Sequence, residues 1–272
     1  MRKITRITTQ VKHKNRFNIF LSTANKGEEY GFSVDEAILI EYRLRKGLEL
    51  DDAMIKTLVQ KDTLHKSYTQ AINFLSYRMR TKKEIIDYLS KKEVEEEHIE
   101  QIIKKLTNEK LIDDQQFANM FVRSRVNTST KGPNLIKKEL IDKGVSALLA
   151  DAALKHYPLE KQYEKIKKLI NKKILSGRSN DSFRKQTQQL QTNLMQKGFS
   201  QEVIKEAFIG IQEEKDEESE WDALVYQGEK LLRKHQTKQE GFVLKRKVTE
   251  GLYRKGFSFE LINRFLDEQL KE

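Results

Sequence analysis

One four-residue word constrains this chain more than anything else in it. Lys143-Gly144-Val145-Ser146, Lys197-Gly198-Phe199-Ser200 and Lys255-Gly256-Phe257-Ser258 share the pattern K-G-[VF]-S, with glycines 54 and 58 residues apart. Apolar side chains stand eight and four residues before each glycine: Ile136 and Leu140, Leu190 and Leu194, Val248 and Leu252. That spacing marks one helix face, and a glycine just beyond it suits the left-handed conformation that closes a helix. A fourth copy lies upstream, with Ile85 and Leu89 on the stripe, Glu93 in the glycine position and Val94 after it.

A second apolar stripe follows each word: Ile99, Ile102 and Ile103; Leu149, Ala153 and Leu154; Val203, Ile204, Ala207 and Phe208; Leu261, Ile262, Phe265 and Leu266. Another amphipathic stretch precedes it, around Phe74 and Leu75, Phe117, Met120 and Phe121, Leu169 and Ile170, and Leu231 and Leu232. Each unit therefore reads as three helices, and units of this size stack on their neighbours. The expected boundaries are 65–112, 113–158, 159–212 and 213–272, preceded by an N-terminal domain over 1–64. The fold class is mainly α, an elongated array of tandem three-helix repeats with a small N-terminal β-containing domain. A long face of this kind suits an extended partner; the plainer alternative is a scaffold whose repeats only add stability.

The first thirty residues differ in texture. Ile4, Ile7 and Val11, then Phe17, Ile19 and Leu21, alternate with polar neighbours as half-buried strands do. Turns are expected around Val11 to Asn15 and at Asn25-Lys26-Gly27. Ser33-Val34-Asp35-Glu36 has the form of a capping box. A helix should begin there, run through Ile38, Leu39 and Tyr42, and stop near Lys46-Gly47. A short helix from Asp51 or Asp52 to about Val59 should follow.

Composition narrows function. With 52 Lys+Arg against 41 Asp+Glu the net charge is +11, which points to a polyanionic partner, nucleic acid or an acidic protein surface. The absence of cysteine removes disulfides, thiolate metal sites and a Cys nucleophile, and suits a reducing compartment. No run reaches a membrane span's length, and Met1 to Gln10 lacks a signal peptide's apolar region, so the expected location is cytoplasmic. No phosphate loop, dinucleotide turn or zinc helix occurs, the five histidines are scattered, and no acid/base pair stands out. The expectation is a non-enzyme without cofactor or metal.

Basic clusters remain. Arg78, Arg80, Lys82 and Lys83 sit where the first helix of repeat 1 meets the second, beside a capping box formed by Thr81 and Glu84. There, helix N-terminal amides with Arg and Lys beside them suit a phosphate or a partner carboxylate; a merely capped helix start is the structural alternative. Repeat 2 has Arg123, Arg125 and Lys131. Repeat 3 has the densest set, including Lys172, Lys173, Arg178, Arg184 and Lys185, and repeat 4 has Arg233, Lys234, Lys245 and Arg246. These sixteen are the candidate binding residues, and their recurrence suggests one basic track. The acidic run Glu213 to Glu220 interrupts it and reads as a solvated helix face or linker. A helix-turn-helix reading is weak, because the repeats share no set of Asn, Gln or Arg at groove-facing spacing.

Leu75-Ser-Tyr-Arg-Met-Arg-Thr-Lys-Lys-Glu-Ile-Ile-Asp-Tyr-Leu89 resembles the opening of the RecX regulatory-protein family. So do Leu111-Ile-Asp-Asp-Gln-Gln-Phe-Ala118, Phe121-Val-Arg-Ser-Arg125, Lys131-Gly132 and Glu139-Leu140-Ile-Asp-Lys-Gly144. Residues 1 to 64, including Arg45-Lys-Gly-Leu-Glu-Leu50, are similar to the N-terminal extension of the longer Gram-positive members. The resemblance implies a monomeric cytoplasmic protein that binds the RecA recombinase and its filament on single-stranded DNA. It further implies restraint of strand exchange and ATP hydrolysis in DNA repair, recombination and the SOS response, with DNA itself a further candidate partner. The fourth unit and the acidic run depart from the short members. A sequence-independent DNA-binding protein with helix-turn-helix-like repeats is the alternative from another class.

Overall fold

A computed structural model describes residues 1–23, 27–175, 179–209, 211, 216–237 and 239–269. They form two compact units, one of residues 1–117 with 143–145 and one of 118–142 with 146–272.

The first unit opens with an antiparallel sheet of order β3-β2-β1-β4, formed by β1 (Arg2–Thr9), β2 (Arg16–Ser22), β3 (Glu28–Asp35) and β4 (Glu49–Leu50). A shift of register between Ile4 and Arg6 explains why Ile4 and Ile7, three apart, both reach the core, since an extra residue in one strand resets the two-residue alternation. The turn after β1 falls where expected, and Val11 belongs to it, fully exposed rather than on a strand. Asn25 and Lys26 of the second expected turn lie outside the described residues.

The expected capping box at Ser33 and Glu36 does not form. Ser33 is still in β3, where its hydroxyl accepts from Arg16, and Asp35 caps α1 (Glu36–Glu41) through Ala37 N–H. Helix α1 ends earlier than expected, at Arg43, a left-handed residue with φ 47°. The helix after β4 does not stop near Val59. Asp51 caps it, no Gly or Pro interrupts it, and α2 runs from Asp52 to Ser76. It therefore serves two cores. Leu58 closes on Ile4, Ile19, Leu21, Phe32 and Val34 of the sheet, while Ala71 packs with Ile85, Leu89, Ile99, Ile102 and Leu106 of α3 (Lys82–Ser90) and α4 (Glu96–Asn108). Buried Asp62, at mid-helix, accepts from Arg16 (2.6 Å) and from Asp35 N–H (2.7 Å), fixing sheet to helix.

The second repeat contains α5 (Asp114–Thr128), α6 (Pro133–Asp142) and α7 (Ala147–Leu154). The third contains α8 (Leu159–Ile170), which continues as a π-helical turn over Asn171–Leu175, then α9 (Phe183–Gln196) and α10 (Gln201–Ala207). The fourth contains α11 (Glu217–His235), α12 (Gly241–Arg254) and α13 (Phe259–Gln269). The tandem three-helix organisation and the small N-terminal sheet thus stand as expected. Every predicted residue of the minus-eight and minus-four stripe is buried.

The K-G-[VF]-S word resolves into four jobs. Lysine is the C-cap at Lys197 and Lys255; Gly144, Gly198 and Gly256 are left-handed with φ 87°, 89° and 94°. Val145, Phe199 and Phe257 are core residues. Each serine then accepts from the amide three residues on and starts the repeat's third helix. Glu93 adopts the same conformation, with φ 59°.

Candidate functional site

The conserved geometry of the basic junctions is a latch. In each of the first three repeats the start of the second helix receives the lysine-glycine turn of the following repeat. Thr81 Oγ1 donates to the Lys143 carbonyl (2.7 Å). Gly132 N–H donates to the Lys197 carbonyl (2.7 Å), and Asn134 N–H to the Gly198 carbonyl (3.0 Å). Ser182 Oγ donates to the Lys255 carbonyl. A helix leaves its last carbonyls without intrahelical donors, and here the preceding repeat supplies them. Thr81 and Ser182 are fully buried, as such a bond requires.

This explains the glycine beyond its φ. A Cβ on Gly144 would overlap the Lys83 side chain, one on Gly198 would overlap the Leu135 backbone, and one on Gly256 would lie 2.7 Å from Ser182 Oγ. Glu93 ends the first repeat's second helix, has no repeat before it and is exposed. The one copy that lacks glycine is the copy that needs no close approach.

Acidic residues complete two of the latches. Lys82 N–H, the first amide of α3, donates to Asp114 Oδ1 (2.9 Å). In the third repeat Phe183 N–H donates to Glu220 Oε2 (2.7 Å). Pro133 occupies the corresponding helix start in repeat 2 and has no N–H to satisfy. Glu220 is therefore buried, which corrects its reading as part of a solvated run; Glu217 and Glu218 are exposed on the first turn of α11, and Glu213 and Glu214 lie outside the described residues. The amides expected to hold a phosphate at α3 are engaged within the protein, by Asp114 and Thr81.

The first junction is also an ion-pair network. Glu84 accepts from Arg78 through both oxygens (3.0 Å each), from Lys143 (3.0 Å) and from Thr81 N–H (3.3 Å). Burial alone would push its pKa up; the hydrogen bonds and charges of Arg78 and Lys143 outweigh that and hold it at about 2. Arg80 lies over Phe74 at 3.9 Å, and Phe74 stacks on Tyr88 at 4.1 Å. Burial, then neighbouring Arg78, lowers the Arg80 pKa. In the second unit Glu139 accepts from Arg125 (3.0 Å) and from Lys131. Burial opposes its ionisation, but these two cations win and its pKa falls.

The candidate cations thus divide. Arg78, Arg125, Lys131, Lys185, Arg233 and Arg246 are ion-paired to Glu84, Glu139, Glu139, Asp181, Glu229 and Glu250, and Arg80 is half-buried on its aromatic stack. Lys82 and Lys245 are half-buried, and Lys83 supports Gly144. Arg184 is exposed, with its stem beside Gly256. Arg123, Lys172, Lys173 and Lys234 are exposed with no ion pair to a described residue; Arg178 lies outside the described residues. Sequence reasoning missed Asp114, Ser182 and Glu220. A signal was available, an acid near the start of the following repeat's first helix, but its partner is a backbone amide that no side-chain pattern reveals.

Among the described residues no group of three or more His, Asp or Glu could hold a metal, and no helix is long and apolar enough to cross a membrane. The architecture defines the class, a protein of tandem three-helix repeats joined helix end to helix start. Family models match nearly end to end: the RecX N-terminal domain over residues 2–51, the first three-helix domain over 68–106, the second over 113–154, and the third twice, over 160–208 and 217–266. The fourth repeat is thus a second copy of the third type. The chain is 60% identical to the regulatory protein RecX of Oceanobacillus iheyensis and 42% identical to that of Bacillus cytotoxicus, each over all 272 residues and the full length of both chains. A crystal structure of regulatory protein RecX, 38% identical, superposes with a TM-score of 0.65, covering 78% of this chain and all of the other. RecX from Lactobacillus salivarius, also 38% identical, gives 0.52 over 56% of this chain and 97% of the other. The chain belongs to the RecX family of regulatory proteins.

Proposed function

We propose that this protein is a non-enzymatic cytoplasmic regulator that binds RecA and the RecA–single-stranded DNA filament and restrains strand exchange and ATP hydrolysis. Family membership along the whole chain, at 60% identity to a full-length regulatory protein RecX, is the observation that carries this reading. A succession of similar repeats suits a partner that is itself a succession of similar subunits. No observation favours the alternative of a protein that acts by coating DNA.

The exposed cations are the ones available to a partner. Removing Arg78 or Arg125 would strip a half-buried carboxylate of its partner and confuse folding with binding. We therefore expect Arg123→Ala, Lys172→Ala, Lys173→Ala and Lys234→Ala together to weaken binding to the RecA–single-stranded DNA filament and to flatten its salt dependence, because screened contacts are lost. Thermal stability should stay unchanged. Co-sedimentation with preassembled filament between 50 and 200 mM salt checks this, and an unaltered affinity and slope would remove these residues from the interface.

A further inference from the structure

The fourth repeat offers the surface on which every earlier repeat carries its successor. Two residues beyond each N-cap of the second helix stand Lys83, Asn134 and Arg184 (N-caps Thr81, Gly132 and Ser182), and the next repeat's glycine turn rests against or beside each of them. The corresponding residue of repeat 4, counted from N-cap Glu240, is Phe242. It is 79% exposed, Val243 beside it is 51% exposed, and nothing lies within 4 Å of a Cβ built on Gly241. Long cationic stems at this position in repeats 1 and 3 give way to an aromatic and a β-branched side chain in the one repeat that has no successor. An exposed aromatic at the centre of an otherwise occupied type of interface has the character of a binding anchor.

We propose that the Phe242–Val243 face is a docking surface for a partner protein, and that it takes what the three preceding faces take: a helix C-terminus closed by a left-handed glycine and followed by an apolar residue. A second copy of this chain does not supply that element. Gly144, Gly198 and Gly256 are already seated in their own latches, and the fourth left-handed helix end carries the Glu93 side chain where close approach needs none. The occupant is therefore a different protein, and identifying it with a RecA subunit rests on the proposed function.

The test uses the full-length protein and RecA filament assembled on oligo-dT with a non-hydrolysable ATP analogue. Phe242→Asp should weaken filament binding at least tenfold while leaving the melting temperature within a degree of wild type. Photoreactive benzoylphenylalanine in place of Phe242 should cross-link to RecA at a glycine that ends a helix. Wild-type binding with undiminished affinity of Phe242→Asp overturns the docking surface alone, as does cross-linking only to DNA or to a second copy. Failure of the wild-type protein to bind the filament overturns the RecA reading and this assignment with it.

Discussion

Gly198→Val should destabilise the protein by on the order of 3 kcal/mol or more, whereas Glu93→Val should cost only about 1 kcal/mol. Both positions are left-handed, with φ 89° and 59°, so the strain of placing a β-branched residue there is common to both. What differs is the neighbour. At Gly198 the added side chain meets the backbone of Leu135, which carries the adjoining latch bonds from Gly132 and Asn134, and main chain cannot step aside as a side-chain tip can. At Glu93 the turn is exposed. Urea unfolding of the two variants gives the comparison directly. Equal losses would mean that the glycines serve only to end helices and that the latch contributes nothing.

Glu84→Gln is expected to cost about 2 kcal/mol near neutral pH, since it leaves Arg78 and Lys143 sharing an uncharged partner in a half-buried site. The pH dependence follows from the sign of the shift. The carboxyl is held at about 2 in the folded protein, below its ordinary value of 4.5, so its contribution is complete above about pH 4.5 and is lost as the pH falls toward 2. The difference in stability between wild type and Glu84→Gln should therefore be flat from pH 7 to 5 and shrink below that. A difference that stayed constant down to pH 3 would show that the charge of Glu84 is not what holds the junction.

Much of the fold was legible because helix periodicity is a local property. Ile136, Leu140, Leu190, Leu194, Val248 and Leu252 follow one template, and all are buried. The left-handed residue after each stripe was legible for the same reason, even where it is Glu93. The start of α1 was not, because Ser33 and Asp35 both offer an oxygen to a nearby amide and the pairing of β3 with β2 decides which is free to cap. The length of α2 escaped because two apolar faces, one for the sheet and one for repeat 1, share a helix without a Gly or Pro to mark the change. The basic junctions were found, but not their occupants. Lys143, Lys197 and Lys255 enter the latches through backbone carbonyls, which are invisible to side-chain pattern, and buried Glu220 is indistinguishable in sequence from its exposed neighbours.

The central claim, a regulator that acts on the filament rather than by covering DNA, meets its most direct test in the RecA ATPase on single-stranded DNA as this protein is titrated in. Inhibition complete at far less than one protein per DNA binding site is the predicted result, because a repeat protein lying on the filament acts on assembled RecA. Inhibition that appears only as the protein saturates the DNA would contradict it.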